Sequence, residues 1–568
     1  MELAAAATTT EREMAGHGID PAIYERRWKT LGALCLALLI IIMGNTTLNV
    51  ALPVLSEKLS ATNSQLQWMV DAYSLVFAGL LFTAGNIGDR YGRKGILQGG
   101  LALFGVATAF AAFVANSASQ LIGARVVMGI AGAMVMPATL SIITNIFPKE
   151  ERAKAVATWA GISGSGAAIG PLLSGFVLQH FSWNAVFAIN VPFILVALFL
   201  VGFLVPRTRN DHHAPIDVPG ALLSAIGISA IVYAIIEGPS HGWLSPETVV
   251  VGTIGLVVMA LFVGWEKRAA DPMLDVNLFK VRAFGVSSLA LTLVFFALMG
   301  IFFSMSQLLQ LVYGYSPLNA AVRLSPIAGA MMIAAPQSAR LAARFGKRKV
   351  VASGMWLVAS GVAIMTFIGV TPNYGLLILG LVVMASGMGI AMSPTTDLLM
   401  SAVPREKAGM GSAMNDTTRE LGGSLGVAVF GSLLASKYSH QLSSALGGVP
   451  EAARTAAKGS LGGALQMASK MGADGKTIAD AAKASWLSGF RFSLMIGAVV
   501  VATAGLVAWK FLPDTAADQD LLLVDTVDTV GSVGSVDDDS DIVGVSLGLT
   551  VEDELALEVE SYRPVLGD

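Results

Sequence analysis

Fourteen apolar runs of roughly twenty residues each dominate this chain of 568 residues. A run of that length spans a bilayer as a helix, and helices are expected because an open sheet edge in hydrocarbon leaves backbone groups unpaired. The composition agrees, since 54% of the residues are hydrophobic and only 13% are charged. We therefore expect an all-α integral membrane protein, with 14 transmembrane helices centred near residues 42, 77, 106, 131, 166, 195, 227, 256, 296, 330, 360, 387, 422 and 500.

Lys and Arg residues are concentrated in every second turn between these runs. The turns after even-numbered runs carry basic clusters, such as those at 90–94 and 340–349, whereas the short turns after the odd-numbered runs, from the first to the eleventh, are almost free of them. Basic turns stay in the cytoplasm, so a multi-pass cell-membrane protein with both termini cytoplasmic is expected. Twelve and fourteen helices satisfy this parity equally well.

An internal repeat favours the larger number. GNIGDRYGRK (85–94) reappears, degraded, as ARLAARFGKR (339–348), 254 residues later. If the seventh and eighth runs are inserted between two six-helix sets, both turns follow the second helix of their set. Two such repeated sets form the architecture of alternating-access carriers. The expected parts are a cytoplasmic segment 1–30, a six-helix bundle 31–210, two additional helices 217–265, a second bundle 283–512 with an extracellular loop 437–487, and a tail 514–568.

The net charge of −3 is the sum of a basic body and an acidic tail. Residues 514–568 hold 15 acidic residues and one basic residue, which leaves 39 − 15 = 24 acidic and 36 − 1 = 35 basic residues in the body. Most of those bases lie in the cytoplasmic turns, so the surplus of +11 reports orientation and gives no reason to expect nucleic acid as a partner. The tail has the composition of a disordered acidic extension.

Enzyme and metal chemistry lack a recognisable site. Cys35 is the single cysteine, which excludes a disulfide scaffold and a CxxC metal site. The six histidines fall at termini, loops or helix ends and form no HExxH motif. We therefore expect no enzymatic activity, no cofactor and no bound metal.

Several motifs resemble those of the major facilitator superfamily, and of its fourteen-helix drug/proton antiporter branch in particular. The resemblance spans about residues 30 to 512 and implies a proton-coupled multidrug exporter, which acts on small molecules and protons as a monomer in the bilayer. The motifs are the GNIGDRYGRK turn, LIGARVVMGIAGA (121–133), GSGAAIGPLLSG (164–175), NTTLNVALP (45–53), WMVDAYSL (68–75), FAINVP (187–192) and GSAMNDTTRELGGSLGVAVFGSLL (411–434).

In the 85–94 turn, the resemblance implies a conformational latch made of Gly85, Asp89, Arg90, Gly92 and Arg93. The glycines would let two helices approach closely, Asp89 would sit against a helix N-terminus, and the bases would hold carboxylates or lipid phosphates. The alternative is a positive-inside anchor alone, which explains the bases but not the aspartate or the glycines. The second copy lacks the aspartate, so only the first latch is expected to be strong.

Two charged residues lie inside apolar runs. Arg125 is near the middle of the fourth run, where a charge is costly unless it faces a cavity and a partner. The resemblance implies a role in proton relay or substrate interaction. Asp71 in the second run is the best candidate for a carboxyl group that exchanges one proton per cycle, and the alternative is an interfacial residue that caps the helix end.

A further charged group, Asp416, Arg419 and Glu420, lies near one face of the thirteenth run. It is either a second titratable cluster or a juxtamembrane salt bridge. Asn45 stands where the antiporter branch usually carries an aspartate. Since an amide cannot titrate, the proton duty of that position is absent or has moved to Asp71 or Asp416, which favours a neutral or zwitterionic substrate.

Gly166, Gly170 and Pro171 give the fifth run a small-residue face and a kink. Close helix packing and an antiport role are compatible, because both use the same bend. The functional hypotheses are proton-driven export of hydrophobic or amphipathic small molecules, dedicated export of an endogenous metabolite, lipid or antibiotic, and, less favoured, a non-transporting membrane sensor.

Overall fold

The structure is a computed structural model that describes residues 20–207, 217–269, 272–403, 408–446, 451–471 and 473–513. This described chain is helical throughout and contains no strand. The helices are numbered in chain order: α1 Pro21–Lys58, α2 Asn63–Tyr91, α3 Arg93–Phe113, α4 Ala118–Ile146, α5 Lys149–His180, α6 Ala185–Leu204, α7 Val218–His241, α8 Pro246–Glu266, α9 Arg282–Val312, α10 Pro317–Phe345, α11 Lys347–Met365, α12 Tyr374–Ser401, α13 Ala408–Leu442, α14 Glu451–Gly459, α15 Leu461–Ser469 and α16 Ala473–Phe511.

The all-α membrane fold class is confirmed. Within the described residues, thirteen helices are long and apolar enough to cross a membrane. The remaining long helix, α13, is not among them and carries Asp416, Arg419 and Glu420 in its first half. Its 35 residues would extend about 50 Å, more than the hydrocarbon core requires. A count of fourteen crossings remains a prediction.

Two boundaries differ from the expected ones. α1 begins at Pro21, inside the expected 1–30 segment, because Asp20 caps it by accepting a hydrogen bond from the Ala22 N–H at 2.8 Å. Helix α13 continues to Leu442 and α16 begins at Ala473, so both helices extend into the expected loop 437–487, whose extracellular position remains a prediction. Hydropathy alone cannot detect such polar helix ends. The acidic tail, residues 514–568, lies outside the described residues.

Helix packing repeats along the chain. In the first part α1 packs on α5 and α6, while α4 packs on α2 and α3. In the second part α9 packs on α13 and α16, while α12 packs on α10 and α11. The same pairings therefore recur if α1–α6 correspond to α9–α13 and α16. We keep the division into two six-helix sets as a proposal, and this recurrence is the observation in its favour.

The turn repeat also recurs in backbone geometry. Gly92 ends α2 and opens α3 with φ of +114°, and Gly346, 254 positions later, joins α10 to α11 with φ of +86°. L-residues with side chains rarely adopt positive φ, so glycine is the favoured residue at both turns. A single residue thus reverses the chain in each set.

The inserted helices α7 and α8 pack on each other, and α7 also lies against α2 and α13. The two sets meet where α2 packs on α13 and where α5 packs on the start of α10. We call the end of the bundle where α1 leads into α2 the outer end, after the predicted orientation. The hydrogen bonds that join the sets include Gln310 Nε2 to Val50 O at 2.9 Å and Ser56 to Ser460 at 3.2 Å, both at this end.

Candidate functional site

Arg125 lies fully buried in α4, and α1 and α2 supply its polar partners. Its Nε donates to Met69 O at 2.8 Å, Nη1 to Gly44 O at 3.1 Å and Nη2 to Asn45 Oδ1 at 3.0 Å. The guanidinium carbon lies 4.4 Å from the centre of the Tyr73 ring, a cation–π distance. These contacts replace the water that the charge loses on burial.

Asn45 meets Arg125 through a neutral acceptor. The charge of Arg125 is therefore not balanced by an ion pair with this first-helix position. Electrostatic attraction instead reaches Arg125 from Glu420 on α13, which lies beside Ser74 of α2. Glu420 belongs to the second six-helix set.

Asp71 is fully buried two turns inside α2, so it does not cap the helix end. Ser424 of α13 lies beside it. Among the described residues, neither carboxyl oxygen of Asp71 nor the hydroxyl of Ser424 has a hydrogen-bond partner. A charge without a partner is costly in such a place, and the neighbours of this carboxyl group come from both α2 and α13.

The three charged residues of α13 point to different neighbours. Arg419 stays within its own set, where Nη2 donates to Thr396 at 3.4 Å and the guanidinium lies 5.6 Å from the Phe295 ring centre. Asp416 accepts from Asn415 Nδ2 at 3.3 Å, and Glu420 faces α2. In the described part of the chain, no three His, Cys, Asp or Glu residues come together as metal ligands.

Sequence reasoning singled out Asp71 but missed the row of polar side chains to which it belongs. Asn63, Gln67, Asp71 and Ser74 recur on one face of α2 at spacings of four, four and three residues. Their counterparts descend α13 in the opposite direction: Gly431, Ala428, Ser424 and Glu420. We call this row of facing residues the polar seam. The helical spacing of polar residues within an apolar run was the signal that could have revealed it.

At the outer end of the polar seam, side-chain amides make the contacts. Gln67 Nε2 donates to Ala428 O at 2.8 Å, to Val427 O at 3.2 Å and to the Ser432 hydroxyl at 3.3 Å. Asn63 Nδ2 donates to Gly431 O at 3.0 Å and to Gln67 Oε1 at 3.1 Å. The polar seam thus has hydrogen-bonded amides at its outer end and the carboxyl groups of Asp71 and Glu420 further from that end.

The 85–94 turn lies away from Arg125, at the end of the bundle opposite to the outer end. Gly85 faces Pro137 of α4, with 3.6 Å available to a Cβ. Arg90 is exposed, while Arg93 is buried and donates to Ser141 O at 3.4 Å. Asp89 falls in the last turn of α2, and its side chain lies outside the described part of the structure.

The small residues of α5 pack against α1. A Cβ on Gly170 would lie 2.2 Å from Thr46 Oγ1, and one on Gly166 would lie 3.0 Å from Leu39 Cδ1. Pro171 follows inside the helix. Because α1 also carries Gly44 and Asn45, this contact positions two of the groups that hold Arg125.

Comparison with known proteins agrees with this architecture. The family model of the Major Facilitator Superfamily matches residues 34–427. The chain is 38% identical over 484 residues to the multidrug efflux pump LfrA of Mycolicibacterium smegmatis, covering 85% of this chain and 95% of LfrA. It is 29% identical to the tetracenomycin C resistance and export protein of Streptomyces glaucescens, covering 90% of this chain and 98% of that protein.

Among solved structures, one similar fold is a bacterial homologue of the human lysosomal transporter Spinster in an inward-facing, unoccupied conformation. The TM-score is 0.62 at 17% identity, and the alignment covers 89% of this chain and 99% of the homologue. Likeness at this identity concerns the fold alone. On the family match and the extent of similarity to LfrA, the chain belongs to the Major Facilitator Superfamily, whose members are transporters.

Proposed function

We propose that the protein is a proton-coupled exporter of hydrophobic or amphipathic small molecules. The observation that carries the proposal is that Asp71 and Arg125, both fully buried in the first set, each have a neighbour on α13 of the second set, Ser424 for Asp71 and Glu420 for Arg125. A carrier driven by protons needs a group whose proton affinity changes as the sets move. Asp71 meets that need because its surroundings belong to both sets.

The relatives support the nature of the cargo. LfrA is named as a multidrug efflux pump, and the similarity covers most of both chains. Basic clusters in every second turn support insertion in the cell membrane with both termini cytoplasmic, and we take the protein to act as a monomer. Within this scheme, the 85–94 turn acts as a cytoplasmic latch, and Gly166, Gly170 and Pro171 couple the bend of α5 to α1. Asp416 and Arg419 serve as a second charged group beside the substrate path.

Dedicated export of one compound class is the second candidate. Its support is the similarity to the tetracenomycin C resistance and export protein. Asn45 adds to it, because one fewer carboxyl group near Arg125 leaves less negative charge for cationic drugs. Resistance to many chemically unrelated compounds favours the first candidate, whereas resistance to one class favours the second.

The decisive experiment is substrate-driven proton movement in proteoliposomes with an internal pH dye. Ethidium and a panel of neutral and zwitterionic compounds serve as probes. Asp71→Asn should abolish proton-coupled transport while binding and membrane insertion persist. Glu25→Gln, an exposed acid of α1, is the matched control and should transport normally. Normal efflux by Asp71→Asn under a pH gradient would refute the assignment, and binding without proton flux in the unmodified protein would indicate a sensor.

A further inference from the structure

We propose that Gln67, together with Asn63, is the extracellular gate of this protein, and that it closes by donating hydrogen bonds to the backbone of α13. The gate deepens the exporter proposal and rests on it, because a gate has meaning only in a carrier that opens to each side. The gate itself, however, is a specific set of contacts between α2 and α13, and these contacts can be tested without measuring transport.

The burial of these two amides is the first argument. Gln67 is fully buried and Asn63 is 8% exposed, so their polar groups have left water. Burial of an amide is costly unless its hydrogen bonds are satisfied. Both Gln67 and Asn63 find acceptors on the opposite set, at Ala428 O and Gly431 O.

The close fit at Gly431 is the second argument. A Cβ at this position would lie 2.6 Å from Gln67 Cδ and Nε2 and 2.9 Å from Gln67 Cγ. Gly431 thus leaves the space that the Gln67 side chain fills. A larger residue would wedge the two helices apart at the outer end.

The acceptors are the third argument, because they make the contact reversible. Val427 and Ala428 are interior residues of α13, so their carbonyl groups retain helix hydrogen bonds when Gln67 leaves. The Gln67 amide, once exposed, can bond to water instead. Opening therefore leaves no buried polar group without a partner, which is what a contact broken in every transport cycle requires.

The register of the polar seam connects the gate to Asp71. Asp71 lies one helical turn below Gln67 on α2, and Ser424 lies one turn below Ala428 on α13. Separation of the amide contacts would therefore admit water to Asp71 before it reached the deeper Glu420. Opening of the gate and proton exchange at Asp71 become consecutive steps along one seam.

The test measures the distance between the outer ends by electron–electron double resonance on the full chain in proteoliposomes. Spin labels are placed on Lys58→Cys and His440→Cys, both exposed, in a Cys35→Ser background. Gln67→Met keeps the side-chain volume but removes the donors. Because the three hydrogen bonds that Gln67 donates and the one that it accepts from Asn63 are lost, we expect the ratio of long to short distances to rise about tenfold, equivalent to about 1.4 kcal/mol.

The matched control is Gln65→Met on the same helix. Gln65 accepts from Thr62 N at 3.0 Å in the capping box of α2 and makes no bond to α13 among the described contacts. It should leave the distance distribution unchanged. Gly431→Ala provides an independent variant, and it should also favour the long distance. Equal distributions for Gln67→Met, Gly431→Ala and the Gln65→Met control would overturn the gate.

A disulfide that holds the proposed gate closed provides a second test. Because the Gly431 Cβ position is 2.9 Å from Gln67 Cγ, the two Cβ atoms of Gln67→Cys and Gly431→Cys should come within disulfide range. Oxidation should hold the outer end closed and block efflux, and a reductant should restore it. Undiminished efflux by the fully oxidised protein would refute the gate. An outer end that an impermeant thiol reagent labels only from the cytoplasm would instead refute the proposed orientation.

Discussion

Gly170→Ala provides a quantitative test of how α5 is held against α1. The added Cβ would lie 2.2 Å from Thr46 Oγ1 and 3.3 Å from Thr46 Cβ, well inside contact distance. Thr46 cannot simply rotate away, because its hydroxyl donates to Ile42 O at 3.0 Å. Overpacking of this kind costs about 1–3 kcal/mol. We therefore expect a lower unfolding temperature, together with impaired transport where the bend of α5 matters.

Gly164→Ala on the same helix is the matched control, since a Cβ there meets no atom within 4 Å. Both substitutions gain about 1 kcal/mol of helix propensity, so the difference between them isolates the packing cost. Thermal unfolding in detergent, followed by tryptophan fluorescence, measures that difference. Thr46→Ala should rescue Gly170→Ala by removing the opposing hydroxyl. Equal stability of the two alanine variants, or no rescue, would refute the packing argument.

Two further predictions concern charged side chains. Arg125→Lys should lose about 2–4 kcal/mol of stability and most transport, because an ammonium group cannot reproduce three directed hydrogen bonds. Asn45→Ala removes only one of these acceptors and should lose only about 1 kcal/mol of stability in the same unfolding assay. Arg27 binds Glu151 at 2.7 Å and 3.0 Å and, mainly through this hydrogen bonding, holds the pKa of the Glu151 carboxyl below its usual value. This pair contributes about 1 kcal/mol or less above the unfolded-state pKa, and the contribution is lost as pH falls through the lowered folded-state pKa. Glu151→Gln should therefore be less stable than the unmodified protein at pH 7 but equally stable in strong acid, and a constant difference at both pH values would contradict this account.

The membrane helices could be predicted from the sequence because their physical cause is local. A run of apolar residues in lipid has few alternatives to a helix, so the fourteen predicted centres all fall within long helices of the structure. The glycine turn at residue 92 could likewise be located from its repeat at residue 346. Arg125 stood out because a charge inside an apolar run is rare.

The partners of these residues could not be predicted, because they depend on tertiary packing. Nothing near Arg125 in sequence indicates that Gly44 and Asn45 of α1 supply its acceptors. Gln67 could not be singled out from the sequence, because its hydrogen bonds reach residues about 360 positions away. The start of α16 at Ala473 could not be located from hydropathy, because alanine favours helix without contributing much hydropathy.

The inserted helices make the two lateral edges of the bundle unequal. Trp68 of α2 donates to Glu237 of α7 at 2.9 Å, and Trp243, just beyond α7, donates to Ser436 of α13 at 3.1 Å. α7 therefore forms a protein wall along the edge where α2 meets α13. By contrast, α5 meets the start of α10 at the other edge, and Ile169 and Phe176 of α5 are exposed. If the protein exports compounds from the bilayer, as we propose, these edges would offer such compounds unequal access, and loading from the membrane would have a direction around the bundle as well as across it.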